Sequence, residues 1–152
     1  MAADCVYSVL PQIWECYCDS RENLVSEMSY IVKQLFSMDD SIIRVYAIHP
    51  TQGRKCHGLC YAYAVGGVGT LEWLMVPIES RNQGVGMRLF TAAEKELINR
   101  DCHMITFDVC LHNSVAWQFC NKVAYKLGYE LDLIYPKAWY GKPFAIYSKT
   151  IG

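Results

Sequence analysis

The chain lacks several features that would define its class at once. No apolar run approaches the ~18 residues of a membrane-crossing helix, so no membrane partner is expected. Lysine and arginine form no cluster, and the net charge over 152 residues is −1 with histidine neutral. A nucleic-acid partner, which calls for a basic stripe, is therefore not expected. Charged residues make up only 19% of the chain, below the roughly 25% of an average globular sequence. No repeat, low-complexity stretch or linker breaks the chain. Residues 1–152 are expected to form one domain around one core, for which the 53% of apolar residues provide material. Met1 to Leu10 carries neither a basic nor a long apolar stretch, so it does not read as a secretory leader. A cytoplasmic location is expected.

Eight cysteines are present: Cys5, Cys16, Cys18, Cys56, Cys60, Cys102, Cys110 and Cys120. With no leader and an ample core, free buried thiols are the expectation. Cys16-Tyr17-Cys18 and Cys56-His57-Gly58-Leu59-Cys60 lack the Cys-x₂-Cys spacing of a zinc knuckle, so no metal is expected.

The order of elements follows from periodicity. Asp4–Leu10 reads as a short strand and Pro11–Tyr17 as a short helix. Asp19 or Ser20 caps a helix to about Ser37, in which Leu24, Met28, Ile31 and Leu35 recur at helical spacing beside Val25, Val32 and Phe36. Ile42–His49 and Gly58–Val65 read as strands, with a turn at Pro50-Thr51-Gln52-Gly53. Gly66-Gly67-Val68-Gly69 leads into another strand, so it is a hairpin turn rather than a phosphate loop. A helix over Gly86–Asn99 packs through Leu89, Phe90, Ala93, Leu97 and Ile98. Met104–Cys110 is a strand. A helix capped by Asn113 or Ser114 runs to Leu127 and stops at Gly128. Tyr129–Tyr135 and Phe144–Lys149 are the last strands, joined by an aromatic loop. The implied architecture is a mixed sheet covered by helices.

One turn carries chemistry. The strand ending at Val76 is followed by Arg81-Asn82-Gln83-Gly84-Val85-Gly86 and then a helix. The first turn of a helix presents unpaired N–H groups and the positive end of its dipole. Gly84 and Gly86 would leave that backbone open to close approach, and Arg81 would add a cation. A pyrophosphate fits such a turn.

At these residues the chain resembles the GNAT superfamily of acyl-CoA N-acyltransferases. The family signature Arg/Gln-x-x-Gly-x-Gly/Ala stands here as Arg81 to Gly86. Val76 lies five residues before Arg81, as the family places a valine, and Glu79 lies just ahead of the turn. Asn113-x-x-Ala116 and Lys126-Leu127-Gly128-Tyr129 match the start and end of the family's next helix. The resemblance spans roughly Ile42 to Lys149. It implies an α/β, GNAT-like twisted mixed sheet of about six to seven strands flanked by about four helices.

The resemblance also implies roles. The family's fourth and fifth strands splay apart, and coenzyme A lies in the gap. Acetyl-CoA would be the cosubstrate, with no metal. The Leu74 N–H would face the thioester oxygen as a one-donor oxyanion site. The backbone of Met75 and Val76 would line the pantetheine, with the Asn113 side chain opposite. Arg81, Asn82, Gln83, Gly84, Val85, Gly86 and Met87 would hold the pyrophosphate. The amine would attack the acyl carbon directly in a ternary complex. Glu72 would be the base and bind the substrate ammonium, since a carboxylate in an apolar strand has a raised pKa. Asp108 is the reserve.

The general acid departs from the family pattern. Counting from Asn113, the expected tyrosine position is Cys120; counting back from Gly128, it is Ala124. The two differ by one helical turn. Cys120 sits in an apolar stripe with Ala116, Val123, Ala124 and Leu127, which favours a packed thiol over a proton donor. Tyr125 is adjacent but points about 100° away from Ala124. Trp139 and Tyr140, in the loop before the last strand, would border the acceptor. His112 would lie near the thioester; His49, His57 and His103 sit at strand edges and read as structural.

The leading expectation is an N-acetyltransferase acting on a small primary amine. A protein or peptide N-acetyltransferase and a weakly catalytic acyl-CoA-binding regulatory module are the alternatives. Dimers are common among proteins of this type, and a homodimer is left open.

Overall fold

A computed structural model describes residues 21–48, 51 and 55–152. The expected strand at Asp4–Leu10, the helix at Pro11–Tyr17, the cap at Asp19 or Ser20 and the residues Cys5, Cys16, Cys18 and His49 lie outside the described residues. So does the turn at Pro50–Gly53 apart from Thr51.

Among the described residues there are three α-helices and six strands: α1 (Arg21–Leu35), β1 (Ile42–Ile48), β2 (Cys56–Val65), β3 (Val68–Met75), α2 (Val85–Asn99), β4 (Met104–Cys110), α3 (Ser114–Leu127), β5 (Glu130–Tyr135) and β6 (Phe144–Thr150). The strands form one mixed sheet in the order β1-β2-β3-β4-β6-β5. Among the described strands β3 and β4 are the only hydrogen-bonded neighbours that run parallel, and α2 is the crossover that such a pair requires.

β2 is buried from Cys56 to Ala62 because both of its faces are covered. On one face, Cys60 and Ala62 pack with Val85, Leu89, Phe90, Ala93 and Leu97 of α2. The small residues of β2 set that distance: a Cβ on Gly58 would meet Leu89 Cδ1 at 2.7 Å. On the other face, Leu59, Tyr61 and Met75 pack against Ile31 and Leu35 of α1. Each side removes several large apolar side chains from water, worth about 1.5–3 kcal/mol apiece.

Some residues depart from the helical pattern. Val25, Val32 and Phe36 flank the buried stripe of α1 and stay exposed, while Ile98 on α2 is exposed and Glu94 is buried in its stead. Glu94 tolerates burial because it accepts hydrogen bonds from Tyr129 Oη at 2.6 Å and Lys149 Nζ at 3.3 Å. Cys60, Cys102, Cys110 and Cys120 stay out of disulfides, as expected. Cys56 is disulfide-bonded and corrects the expectation of free thiols throughout.

Two irregularities shape the site. The β3–β4 ladder runs only from Val68↔Met104 to Leu71↔Phe107, although both strands continue. On its other edge β3 carries a bulge at the same level: Tyr61 pairs with Trp73 and Ala62 with Leu71, which leaves Glu72 without an opposite residue. A bulge bends its strand and re-aims a side chain. β3 therefore leans away from β4 from Glu72 onward, and the sheet opens between them.

Candidate active site

The opening leads into a cleft of about 450 Å³, within the usual range for small-ligand sites. Its walls are the ends of β3 and β4, the turn before α2 and the first turns of α3. Most of the residues singled out in the sequence meet here: Glu72, Leu74, Met75 and Val76 from β3 and its end, Arg81, Asn82, Gly84, Val85, Gly86 and Met87 from the turn, and Asp108, Asn113 and Cys120.

The turn is held by its own side chains. Arg81 Nε donates to the Val76 carbonyl at 3.0 Å, and Gln83 Nε2 to the Glu79 carbonyl at 3.3 Å. Arg81 thus braces the loop as well as charging it. Arg88, which the motif did not single out, donates through Nη1 to the Gln83 carbonyl at 3.2 Å. Asn82 and Gly84 take positive φ values of 59° and 76°. Gly84 caps α2 in a left-handed conformation with no side-chain hydrogen bond, so no capping side chain occupies the N–H groups of the first turn. Gly86 has a different reason to be glycine. A Cβ there would lie 3.1 Å from the Phe119 ring, and Phe119 packs α3 against the turn.

Across the cleft, Asn113 caps α3 by accepting the Ala116 N–H through Oδ1 at 3.1 Å. That leaves the side-chain NH₂ as a donor at the cleft wall. Cys120 lies further along the same helix. Burial, then the charge of Asp108, pushes its thiol up to about 12. Tyr125 is 91% exposed and outside the cleft lining. Trp139 is also outside the lining and stacks edge-on against Phe144 at 4.9 Å. The side chain of Tyr140 lies outside those described. His57, expected at a strand edge, is buried in β2, and His112 is exposed at the end of β4.

Leu71 faces α2, so alternation places Glu72 on the α1 face of the sheet, and the bulge that follows puts Trp73 and Met75 on that face too. There Tyr30 Oη donates to Glu72 Oε1 at 2.9 Å. Glu72 Oε2 is buried and has no hydrogen-bond partner among the described residues. Burial raises the carboxyl above its ordinary range, the Tyr30 hydrogen bond pulls it down, and the charge of Glu27 raises it again. Asp108 is the next residue of β4 beyond the paired ladder. Burial and the neighbouring Glu72 charge lift it to about 6. Two carboxylates with raised proton affinity therefore stand where the strands part. Tyr30 and Tyr61 complete the surroundings. Neither carries a motif, since their meeting with Glu72 depends on how α1 and β2 pack.

No group of three His, Cys, Asp or Glu is arranged to hold a metal among the described residues. No described helix is long and apolar enough to cross a membrane.

A sheet opened between parallel neighbours, with a glycine-capped helix start at the gap, defines an acyl-CoA-dependent N-acetyltransferase. The chain belongs to the acetyltransferase (GNAT) family, whose profile matches residues 10–125. No curated protein matches the sequence. Solved structures share the fold at low identity. A GNAT-family acetyltransferase from Desulfovibrio desulfuricans is 13% identical, with a TM-score of 0.70 over 100% of this chain and 95% of the other. PaiA N-acetyltransferase from Thermoplasma acidophilum, solved with coenzyme A, is 17% identical, with a TM-score of 0.64 over 99% and 96%. The ribosomal-protein-S18-alanine N-acetyltransferase from Escherichia coli is 17% identical, with a TM-score of 0.64 over 94% and 88%.

Proposed function

We propose that the enzyme transfers the acetyl group of acetyl-CoA to a small primary amine by direct attack, with Glu72 as the base. The observation that carries this reading is the end of the β3–β4 ladder at Leu71↔Phe107, beside the bulge that leaves Glu72 unpaired with β2. Bound acetyl-CoA supplies an activated thioester. Its pyrophosphate would lie on the N–H groups from Gln83 to Met87, and its pantetheine would run between the backbone of Met75 and Val76 and the Asn113 amide. The Leu74 N–H would donate to the thioester oxygen.

An alkylammonium must lose a proton before its nitrogen can attack. Glu72 Oε2 takes that proton, directly or through one water, while Tyr30 fixes the other oxygen. The amine nitrogen then bonds to the acyl carbon as the carbon–sulfur bond breaks. Cys120, with its thiol pushed up to about 12, is a weaker acid than an ordinary thiol near 8.5. Proton transfer from it to the departing thiolate is uphill. The thiolate leaves unaided and is protonated by solvent.

The test is a thiol-release screen with acetyl-CoA over alkylamines, arylalkylamines, polyamines, amino acids and peptides. Turnover with small amines is expected. Turnover with peptides alone would reassign the acceptor, and saturable acetyl-CoA binding without any turnover would leave an acyl-CoA-binding module.

A further inference from the structure

The next residues beyond the paired ladder are both acids, Glu72 on β3 and Asp108 on β4, and both line the cleft. Just below them, where the ladder is still paired, the Thr70 and Thr106 hydroxyls are 3.4 Å apart, so the two acids follow on that same face of the sheet. The charged groups acting on the pair are themselves acids, Glu27 on Glu72 and Glu72 on Asp108.

Two polar atoms of this region are unsatisfied. Glu72 Oε2 is buried without a partner among the described residues. Tyr61 is only 1% exposed, and its hydroxyl likewise has no partner among them. Tyr61 pairs with Trp73 beside the bulge, and burial followed by the charge of Glu72 raises its phenol. Buried polar atoms are ordinarily paired, so Glu72 Oε2, whose residue lines the cleft, marks a place for a ligand, with the Tyr61 hydroxyl behind it. An ammonium group suits it, with three N–H donors, a positive charge and no acceptor. A carboxylate on the carbon next to that ammonium does not suit it. It would be brought against two acids in a partly dehydrated cleft, where like charges repel strongly.

We infer that the acceptor site selects primary amines that carry no carboxylate near the nitrogen, and that Glu72 and Asp108 together reject α-amino acids. This rests on the function proposed above and narrows it to alkylamines, arylalkylamines and diamines. Asp108 sets specificity through its charge, because Glu72 is already needed as base.

The experiment compares tyramine with tyrosine, and isoamylamine with leucine, as acetyl acceptors. Each pair differs by one carboxylate. The methyl ester of tyrosine keeps the bulk and removes the charge. The value of kcat/KM is expected to be about 100-fold or more higher for an amine than for its amino acid, with the ester close to the amine. Asp108→Asn is expected to narrow the ratio at least about tenfold, and Asp108→Glu to preserve it. In the presence of coenzyme A, the amine raises Tm more than its amino acid does, a readout independent of turnover. Amino acids used as well as amines, an ester as poor as the acid, or a ratio unmoved by Asp108→Asn overturns the inference and leaves acetyl transfer intact. Acetyl-CoA binding with neither turnover nor a Tm shift for any amine overturns the inference together with the amine acceptor. Absence of acetyl-CoA binding instead removes the functional reading itself.

Discussion

The two ends of the cleft are built from different materials. The end at α2 is mostly backbone: a left-handed Gly84, a helix start without a side-chain cap, and a loop braced by Arg81 and Arg88. The end facing α1 is side chains, Glu72 and Asp108 from two strands, backed by Tyr30 and Tyr61 from two further segments. A backbone site tolerates exchange of its side chains so long as its dihedral angles survive. A side-chain site depends on each group, and its chemistry can change without altering the fold. The first kind suits a cosubstrate shared by all members of a family, and the second an acceptor that varies among them.

Substitutions can break this contrast. The largest effect is expected for Glu72→Gln, which should lower kcat/KM by about 10²–10⁴-fold while leaving the acetyl-CoA-induced rise in Tm. Thiol release and thermal melting read the two quantities separately, and unchanged kinetics would remove Glu72 from the reaction. Gly84→Val comes next. A β-branched residue at φ 76° is strained, at a cost of about 1–3 kcal/mol. The KM for acetyl-CoA should rise roughly tenfold or more with a smaller change in the KM for the amine. The reverse split would contradict a backbone-built cosubstrate end.

Asp108→Asn should stabilise the protein. The folded carboxyl is lifted from 3.8 to about 6, so its burial costs stability that grows as the pH rises from about 4 to 6 and is complete above that. The gain should be about 1–2 kcal/mol at pH 7.5 and should vanish as the pH falls through 4. Urea unfolding at the two pH values measures it. A loss at pH 7.5 would mean that the acid is satisfied in the free enzyme.

Tyr30→Phe removes a hydrogen bond that lowers the Glu72 carboxyl. The acidic limb of the pH–rate profile should therefore move upward, with kcat at its plateau within about threefold. The smallest effects concern α3. Cys120→Ala should cost about 1 kcal/mol of stability and leave the rate nearly unchanged. Tyr125→Phe should alter neither, since that ring is almost fully exposed.

The same contrast explains what could be read from the sequence. The sheet, the two crossover helices and the glycine turn were legible because each is a local pattern of period, cap or spacing. Asn113 and Gly128 bound α3 as the sequence indicated. The exposure of Val25, Val32, Phe36 and Ile98 was not legible, because periodicity shows that a face is apolar and not how wide a stripe its neighbour covers. The bulge at Glu72 left no local mark either, as it depends on the pairing of β3 with β2. Tyr30 and Tyr61 escaped for a related reason. They lie 42 and 11 positions from Glu72 in the chain, and only the packing of α1 on the sheet brings Tyr30 to it.

We propose that the uncapped N–H groups at the start of α2 hold a diphosphate. Calorimetric titration of coenzyme A against pantetheine, which lacks the diphosphate and nucleotide, tests it most directly. Micromolar binding of coenzyme A is expected, with pantetheine weaker by about 100-fold or more, and with Gly84→Val weakening the first far more than the second. Equal affinity for both molecules, or a Gly84→Val protein that loses both alike, would contradict it.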